Sequence, residues 1–265
     1  MKLFQLPKKS LGQNFLIDKN IIDKIVKIPN LIKNKTIVDI GAGYGALTKA
    51  IIKLKPKKIF AIEKDKKLSS FLSNEFEKDK NVNVINDDIF NFIQKKNIEK
   101  NIIVYGNLPY NISTQILARL IMLKKWPPWY EELIFMFQKE VADRILAKLG
   151  DKEYGRLSIL SNWRLDIKKH FDISKNSFIP KPNINSTILS FKPKKNNPYK
   201  LKDPKNLELV TRTLFSNRRK MINKNFKKLF KDSLDISDKL NLNLKLRPEE
   251  INNEIYYKIA KAYEN

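Results

Sequence analysis

Short continuous apolar runs alternate with stretches of helical periodicity along most of the chain. Thr36-Ile37-Val38-Asp39-Ile40 reads as a buried strand, followed by a glycine-rich turn and a helical pattern over residues 46–54. Further strand-type runs are Lys58-Ile59-Phe60-Ala61-Ile62, Val82-Asn83-Val84-Ile85, Ile102-Ile103-Val104-Tyr105 and Leu133-Ile134-Phe135-Met136-Phe137. Helical patterns over residues 66–77 and 114–123 fit between them, and a last strand is predicted over residues 186–191. Strands alternating with helices predict an α/β fold with a parallel sheet covered on both faces. Such sheets bind ligands beyond the carboxyl ends of their strands. Residues 192–205 then bring three prolines among many lysines and read as a linker. Residues 207–263 have helical periodicity and no obvious strand. The expected division is a catalytic domain over residues 1–193 and a small all-helical domain over residues 205–265.

The strongest local signal is Val38-Asp39-Ile40-Gly41-Ala42-Gly43-Tyr44-Gly45, three glycines at alternate positions between a strand and a helix. Glycine tolerates positive φ and lacks Cβ, so the backbone approaches a ligand closely. The spacing differs from the dinucleotide fingerprint, and no Gly-Lys-Ser/Thr ending is present to make a P-loop. Glu63 ends the next strand, 22 residues beyond Gly41, where a carboxylate can accept both hydroxyls of a ribose. Asp88 follows the third strand and can accept from an adenine amine; either acid can equally be a helix N-cap. Together with Gly41 and Gly43 they point to a bound adenosyl group, that of S-adenosylmethionine.

Asn107-Leu108-Pro109-Tyr110 follows the fourth strand. With a sulfonium methyl donor the obstacle is the nucleophile, because an adenine amine delocalises its lone pair into the ring. Acceptors on its two hydrogens, the Asn107 side-chain oxygen and the Leu108 or Pro109 carbonyl, favour a pyramidal nitrogen with a localised pair. This is preorganisation and orientation without a titratable base. Tyr110 offers an aromatic face to an extruded base, worth roughly 1–3 kcal/mol of stacking. Phe178 is either core or a cover for the other face of the base. Trp126 and Trp129, beside Pro127 and Pro128, read as packing.

Composition narrows the field. The 265 residues are 42% hydrophobic with 15 Phe, enough for one sizeable core and a small second domain. Lys and Arg number 53 against 28 acidic residues, a formal charge of +25. With a pI near 9.9, that surplus points to a polyanionic partner, since each neutralised phosphate releases a counterion. The chain has no Cys and a single His, His170. Disulfides and thiolate metal sites are therefore impossible, and neither a bound metal nor a His-based triad is expected. No apolar run approaches the ~18 residues of a membrane span, and no signal-peptide core follows the basic first residues. The expectation is a soluble, cytoplasmic, monomeric protein. Lys55-Pro56-Lys57-Lys58, Lys95-Lys96 and residues 192–195 read as solvated surface, whereas Arg218, Arg219 and Lys220 are the candidate contacts to the backbone of that polyanion.

Longer motifs run nearly end to end. They are Lys9-Ser10-Leu11-Gly12-Gln13-Asn14-Phe15-Leu16, residues 39–45 and 107–114, Gln138-Lys139-Glu140-Val141-Ala142, Tyr154-Gly155-Arg156-Leu157-Ser158 and residues 178–186. Two more, Phe215-Ser216-Asn217-Arg218-Arg219-Lys220 and Leu246-Arg247-Pro248-Glu249-Glu250, lie in the helical part. On these residues the chain resembles the ribosomal RNA adenine N6,N6-dimethyltransferase family of the small subunit. Lys181 departs from it, standing where proline is more usual.

The resemblance implies a seven-stranded, mostly parallel, Rossmann-like class I methyltransferase sheet with a small helical domain. It implies cofactor contacts at Asn14, Leu16, Gly41, Glu63, Asp88 and Asn107, a catalytic tetrapeptide at Asn107, Leu108, Pro109 and Tyr110, and Phe178 as second stacking ring. The implied substrate is a pair of adjacent adenosines near the 3′ end of small-subunit rRNA, within a pre-ribosomal 30S particle. Alternatives are a large-subunit rRNA methyltransferase of the macrolide-resistance type and a non-catalytic assembly factor on the same fold. DNA adenine and protein glutamine methyltransferases carry a related tetrapeptide, usually with proline where this chain has Leu108.

Overall fold

The computed structural model describes Pro7, residues 12–94 and residues 99–264. Lys9, Ser10 and Leu11 of the first motif, and the Lys95-Lys96 pair, lie outside the described residues. The strands are β1 (Phe15–Leu16), β2 (Thr36–Ile40), β3 (Lys58–Glu63), β4 (Val82–Asn86), β5 (Ile102–Gly106), β6 (Tyr130–Gln138), β7 (Leu165–Ile173), β8 (Phe178–Ile179) and β9 (Ser186–Pro193).

Seven of them form one sheet in the order β4-β3-β2-β5-β6-β9-β7, and β1 pairs antiparallel with β8 in a separate ribbon. Neighbours from β4 through β6 are parallel, and β9 returns antiparallel along β6. The seven-stranded, mostly parallel α/β fold expected from the sequence is therefore present. β2 and β5 are buried at every position, which their Ile- and Val-rich runs require of strands covered on both faces. The chain runs outward from β2 through β3 to β4, then returns to place β5 on the other side of β2. That reversal is a topological switch point, where flanking connections diverge and leave a crevice. Ile40 lies opposite Gly106 in the register, so the glycine turn and the tetrapeptide leave adjacent strands side by side.

Some elements differ from the sequence reading for physical reasons. β7 carries Lys168, Lys169 and His170 where an apolar run would be needed to reveal it; it is an edge strand, and charge on an edge blunts pairing with other chains. β6 begins at Tyr130, earlier than its apolar run, because Glu131 and Glu132 interrupt the pattern. Helix Lys19–Val26, capped by the Asp18 side chain, lies between the first motif and β2.

The residues group into two compact units, Met1–Leu120 with Pro127–Ala142 and Lys168–Pro193, and Ile121–Trp126 with Asp143–Ile167 and Lys194–Asn265. In the second unit Tyr154 Oη donates to Ile251 O (2.9 Å) and Tyr257 Oη to Ile159 O (3.0 Å), tying helix Arg156–Arg164 to the C-terminal helix Asn253–Tyr263. Arg164, only 4% exposed, donates to the Ile121 and Leu123 carbonyls and lies over the rings of Trp163 (3.9 Å) and Trp126 (4.7 Å). Buried charge persists only with such partners. Trp129 packs edge-on against Phe92 and Tyr130 in the first unit. Both tryptophans thus pack as read. Among the described residues no helix is long and apolar enough to cross a membrane.

Candidate active site

A cavity of about 970 Å³, including its open mouth, lies beyond the carboxyl ends of β2, β3, β4 and β5. The glycine turn forms one wall. Gly41 has φ +68°, and a Cβ there would project toward Asn107 O (3.8 Å) and Pro109 Cδ (3.9 Å), into the space between turn and tetrapeptide. Gly43 has φ +59°, and a Cβ would press on the Phe15 ring at 3.0 Å. The alternate spacing thus keeps both backbone and space open.

Two acids line the next walls. Glu63, 7% exposed, accepts from Gly43 N (2.9 Å) on one oxygen and from Asp65 N (2.8 Å) on the other. Burial pushes its carboxyl up, against the opposing pull of those N–H groups. Each oxygen keeps a lone pair, so a ribose diol remains a feasible partner. Asp88 caps helix Ile89–Ile93 through Phe90 N (2.9 Å) and pairs with Lys64 Nζ (2.9 Å), so it is N-cap and cavity wall together. Partial burial acts to raise its carboxyl, but the Phe90 N–H and Lys64 outweigh that and hold it below the usual range.

A third acid lies beneath the turn. Asp39, 1% exposed, accepts from Thr48 Oγ1 (2.6 Å) through Oδ2, while its Oδ1 has no hydrogen-bond partner. Its carboxyl stands at about 6, raised chiefly by burial and in smaller part by the Glu63 charge, against the lowering pull of the Thr48 hydrogen bonds.

The tetrapeptide forms the wall facing the turn. Gly106 admits it, since a Cβ at that position would lie 2.5 Å from Leu108 Cδ2, and Leu108 itself is buried. Asn107 Nδ2 donates to the main-chain oxygen of Asn14 (2.8 Å). The reversed amide would set two oxygens against each other, so this contact decides the orientation and leaves Oδ1 without that partner. Tyr110 lines the cavity beside it, with its hydroxyl 2.6 Å from Ser186 Oγ.

The structure brings Asn14, Gly41, Gly43, Glu63, Asp88, Asn107, Leu108, Pro109 and Tyr110 to one cavity. Leu16 is not in its lining; it is 3% exposed and borders a smaller adjoining recess with Asp39 and Asn107. Phe178 is not brought there either. It is 2% exposed, opposite Leu16 in the β1–β8 ribbon, inside the apolar cluster with Ile22 and Ile188. The sequence reading gave no role to Asn111, which lines the cavity and approaches Gly12, nor to the Ser186 hydroxyl. Asn111 had a signal, being the residue after the tetrapeptide; Ser186 had one in closing the 178–186 motif, besides its place at a strand start.

In the second unit, Arg218 donates through Nε to Glu249 (2.6 Å) and through Nη2 to the Lys152 and Tyr154 carbonyls. The two helical-part motifs are joined there, and this guanidinium is committed within the unit. Arg219 and Lys220 are exposed.

Comparison with known proteins agrees with this geometry. The model of the family "Ribosomal RNA adenine dimethylase" matches residues 5–265. A ribosomal RNA small subunit methyltransferase A from Pelagibacter ubique (strain HTCC1062) is 47% identical over 263 residues, 99% of each chain. One from Wolbachia sp. subsp. Drosophila simulans (strain wRi) is 38% identical, covering 100% of this chain and 96% of its own. Among solved structures, a dimethyladenosine transferase from Plasmodium falciparum superposes with a TM-score of 0.76 at 25% identity, over 92% of this chain and 95% of that one. The 23S rRNA methyltransferase ErmE shares the fold, with a TM-score of 0.68 at 17% identity over 95% of this chain and 100% of its own.

The buried Asp39 carries a pH signature. Its carboxyl titrates higher in the folded chain (about 6) than the ordinary aspartate value of 3.8. The folded state therefore binds the extra proton, and the associated stability is present below the lower value and is lost as pH rises through the higher one. In urea unfolding of cofactor-free protein, Asp39→Asn gains on the wild type by on the order of 2–3 kcal/mol between pH 4 and pH 7. Parallel stability curves for the two proteins would refute the assignment.

Proposed function

The chain belongs to the ribosomal RNA adenine dimethylase family, and on that premise we propose that it transfers methyl groups from S-adenosylmethionine to the N6 amines of two adjacent adenosines near the 3′ end of small-subunit rRNA. The product is N6,N6-dimethyladenosine, formed in the cytoplasm on a pre-ribosomal 30S particle by a monomeric enzyme. The observation that supports the reading is the Asn107 amide, whose Nδ2 is held by Asn14 O, which leaves its oxygen without that partner at the cavity wall. The large-subunit alternative rests on likeness of fold, whereas the relatives of higher identity bear small-subunit names. A non-catalytic assembly factor would have no need of the open glycine turn, both acids and the whole tetrapeptide.

The cavity fits the cofactor. Space at Gly41, a doubly supported Glu63 carboxylate and apolar walls from Ile40, Ile62 and Ile89 suit an adenosyl group. Glu63 would take the ribose hydroxyls, Asp88 the adenine amine, and Asn14, Gly41 and Gly43 the remainder. Leu16 would act from behind, through the recess it borders. Bound there, S-adenosylmethionine supplies a methyl group on a sulfonium centre that leaves readily.

The chain's own residues prepare the nucleophile. In the first transfer Asn107 Oδ1 accepts one N6 hydrogen and the Leu108 or Pro109 carbonyl accepts the other; in the second, the one remaining N6 hydrogen is held by one of these acceptors. The nitrogen turns pyramidal and its lone pair is freed from the ring. After each transfer the surplus proton leaves N6 along one of these hydrogen bonds to solvent, so no side chain must titrate. Tyr110 stacks on one face of the extruded base. Phe178, 2% exposed inside the apolar cluster, does not cover the second face. Residues 1–193 carry this chemistry, and residues 205–265 bind rRNA through Arg219 and Lys220, with Arg218 bracing the segment they stand on.

Incubation with labelled S-adenosylmethionine and small subunits lacking the modification, followed by digestion, tests the reading; N6,N6-dimethyladenosine is the expected product, and unlabelled adenosine would end it. Asn107→Ala lowers turnover by roughly 10²–10³-fold with little change in melting temperature. Near-normal turnover in that variant would remove the tetrapeptide from the mechanism. Neutralising Arg219 and Lys220 together weakens binding to the unmodified subunit and flattens its salt dependence by about two phosphate contacts. An unchanged salt slope would place the contacts elsewhere.

A further inference from the structure

The Tyr110 hydroxyl does not face the place where the reaction above puts the base; it is bonded to Ser186 Oγ at 2.6 Å. Ser186 is fully buried and opens β9, where it stands opposite Gln138 at the end of β6. Lys139 N donates to the neighbouring Asn185 carbonyl at 3.0 Å, so the sheet fixes the backbone that carries this hydroxyl. The Tyr110 backbone is fixed from the other side. Its carbonyl accepts from Ser113 Oγ (3.2 Å) at the start of helix Ser113–Ile121, and Ile112 N donates to Pro109 O (3.1 Å). The freedom that remains is the side chain's own, chiefly the χ1 swing that carries the hydroxyl end of the ring across the cavity wall.

We infer that Ser186 is a positioning residue for methyl transfer, its hydroxyl pinning the far end of the Tyr110 ring and so the tilt of the base stacked on it. The inference rests on the adenine-methylating reading of the cavity. A base lying flat on a ring takes that ring's tilt. Tilt moves the exocyclic amine, at the far edge of the purine, relative to Asn107 Oδ1. A displacement of about 1 Å at a reacting atom can cost on the order of 10²-fold in rate, so a few degrees of ring wobble matter. This gives a reason for tyrosine where phenylalanine would stack equally well. The hydroxyl is an anchor; burial also holds it above its ordinary pKa, which keeps the phenol neutral and able to donate. It further links the tetrapeptide to the segment that carries Phe178, because residues 178–186 end on the anchoring serine.

A double-mutant cycle over Ser186→Ala and Tyr110→Phe tests this, with kcat and KM measured on unmodified small subunits and cofactor affinity measured directly. Each single variant lowers kcat by roughly tenfold, and cofactor affinity stays within about twofold of wild type. The double variant is no slower than the slower single one, because both substitutions remove the same bond. Losses that multiply, or a loss confined to KM, would overturn the inference. Should Ser186→Ala fail to fold, Tyr110→Phe alone decides: it keeps the ring and removes only the anchor, and full kcat in that variant overturns the proposal. Wild-type protein that forms no dimethyladenosine would sink the proposed function itself, whereas an active wild type with multiplying losses sinks only the role of Ser186.

Discussion

The hydrogen bond from Asn107 Nδ2 to the Asn14 carbonyl turns an ordinary strand-end turn into a site with direction. A primary amide can present either end to a cavity, and the two ends have opposite meaning for an amine. An oxygen draws on the N–H bonds and frees the lone pair; an NH2 would compete for that pair. The choice is made by main-chain geometry 93 residues earlier in the chain. Nothing in the tetrapeptide alone could make it. On the proposed reaction, the segment just before β1 belongs to the reaction centre, although it supplies only a carbonyl.

Around that contact the site is built from buried and half-buried polar groups whose partners are fixed in advance. Glu63 is held by two N–H groups, Asp88 by a helix N-terminus and a lysine, and Tyr110 by a serine. Preorganised donors and acceptors need not reorient when charge shifts during reaction, which is the main way such a site accelerates transfer without a titrating base. Asp39 is the exception, a nearly inaccessible carboxyl with one oxygen unpartnered, directly below the turn. It stores instability beneath the cofactor wall, a common property of working sites.

Much of this was legible in the chain, and the reason differs by element. The central strands announced themselves because burial on both faces demands unbroken Ile and Val runs, as in β2 and β5. The glycine turn was legible because positive φ at alternate positions leaves few other choices of residue. Glu63, Asp88 and Asn107 followed from their positions at strand ends once the sheet was parallel. What escaped was contact across long sequence separation. Ser186 meets Tyr110 over 76 residues, and Arg218 meets Glu249 over 31. Arg218 reads as a free cation until that clasp is seen. Phe178 stands in a motif, yet pairing with Leu16 sets it in the core. The charged edge strand β7 lacks any apolar run, because edges are protected by the charges that hide them.

The proposed reaction depends on the direction of one amide, and a scalar coupling transmitted through a hydrogen bond reports it without reference to activity. Protein labelled with 15N at asparagine side chains and 13C at the Asn14 carbonyl is measured by NMR, alone and then with a cofactor analogue and adenosine. A coupling between Asn107 Nδ2 and the Asn14 carbonyl carbon in both states is the predicted result, with the Nδ2 resonances little moved by adenosine. Loss of that coupling on adding adenosine, with the Nδ2 protons shifting as donors to the base, would contradict it.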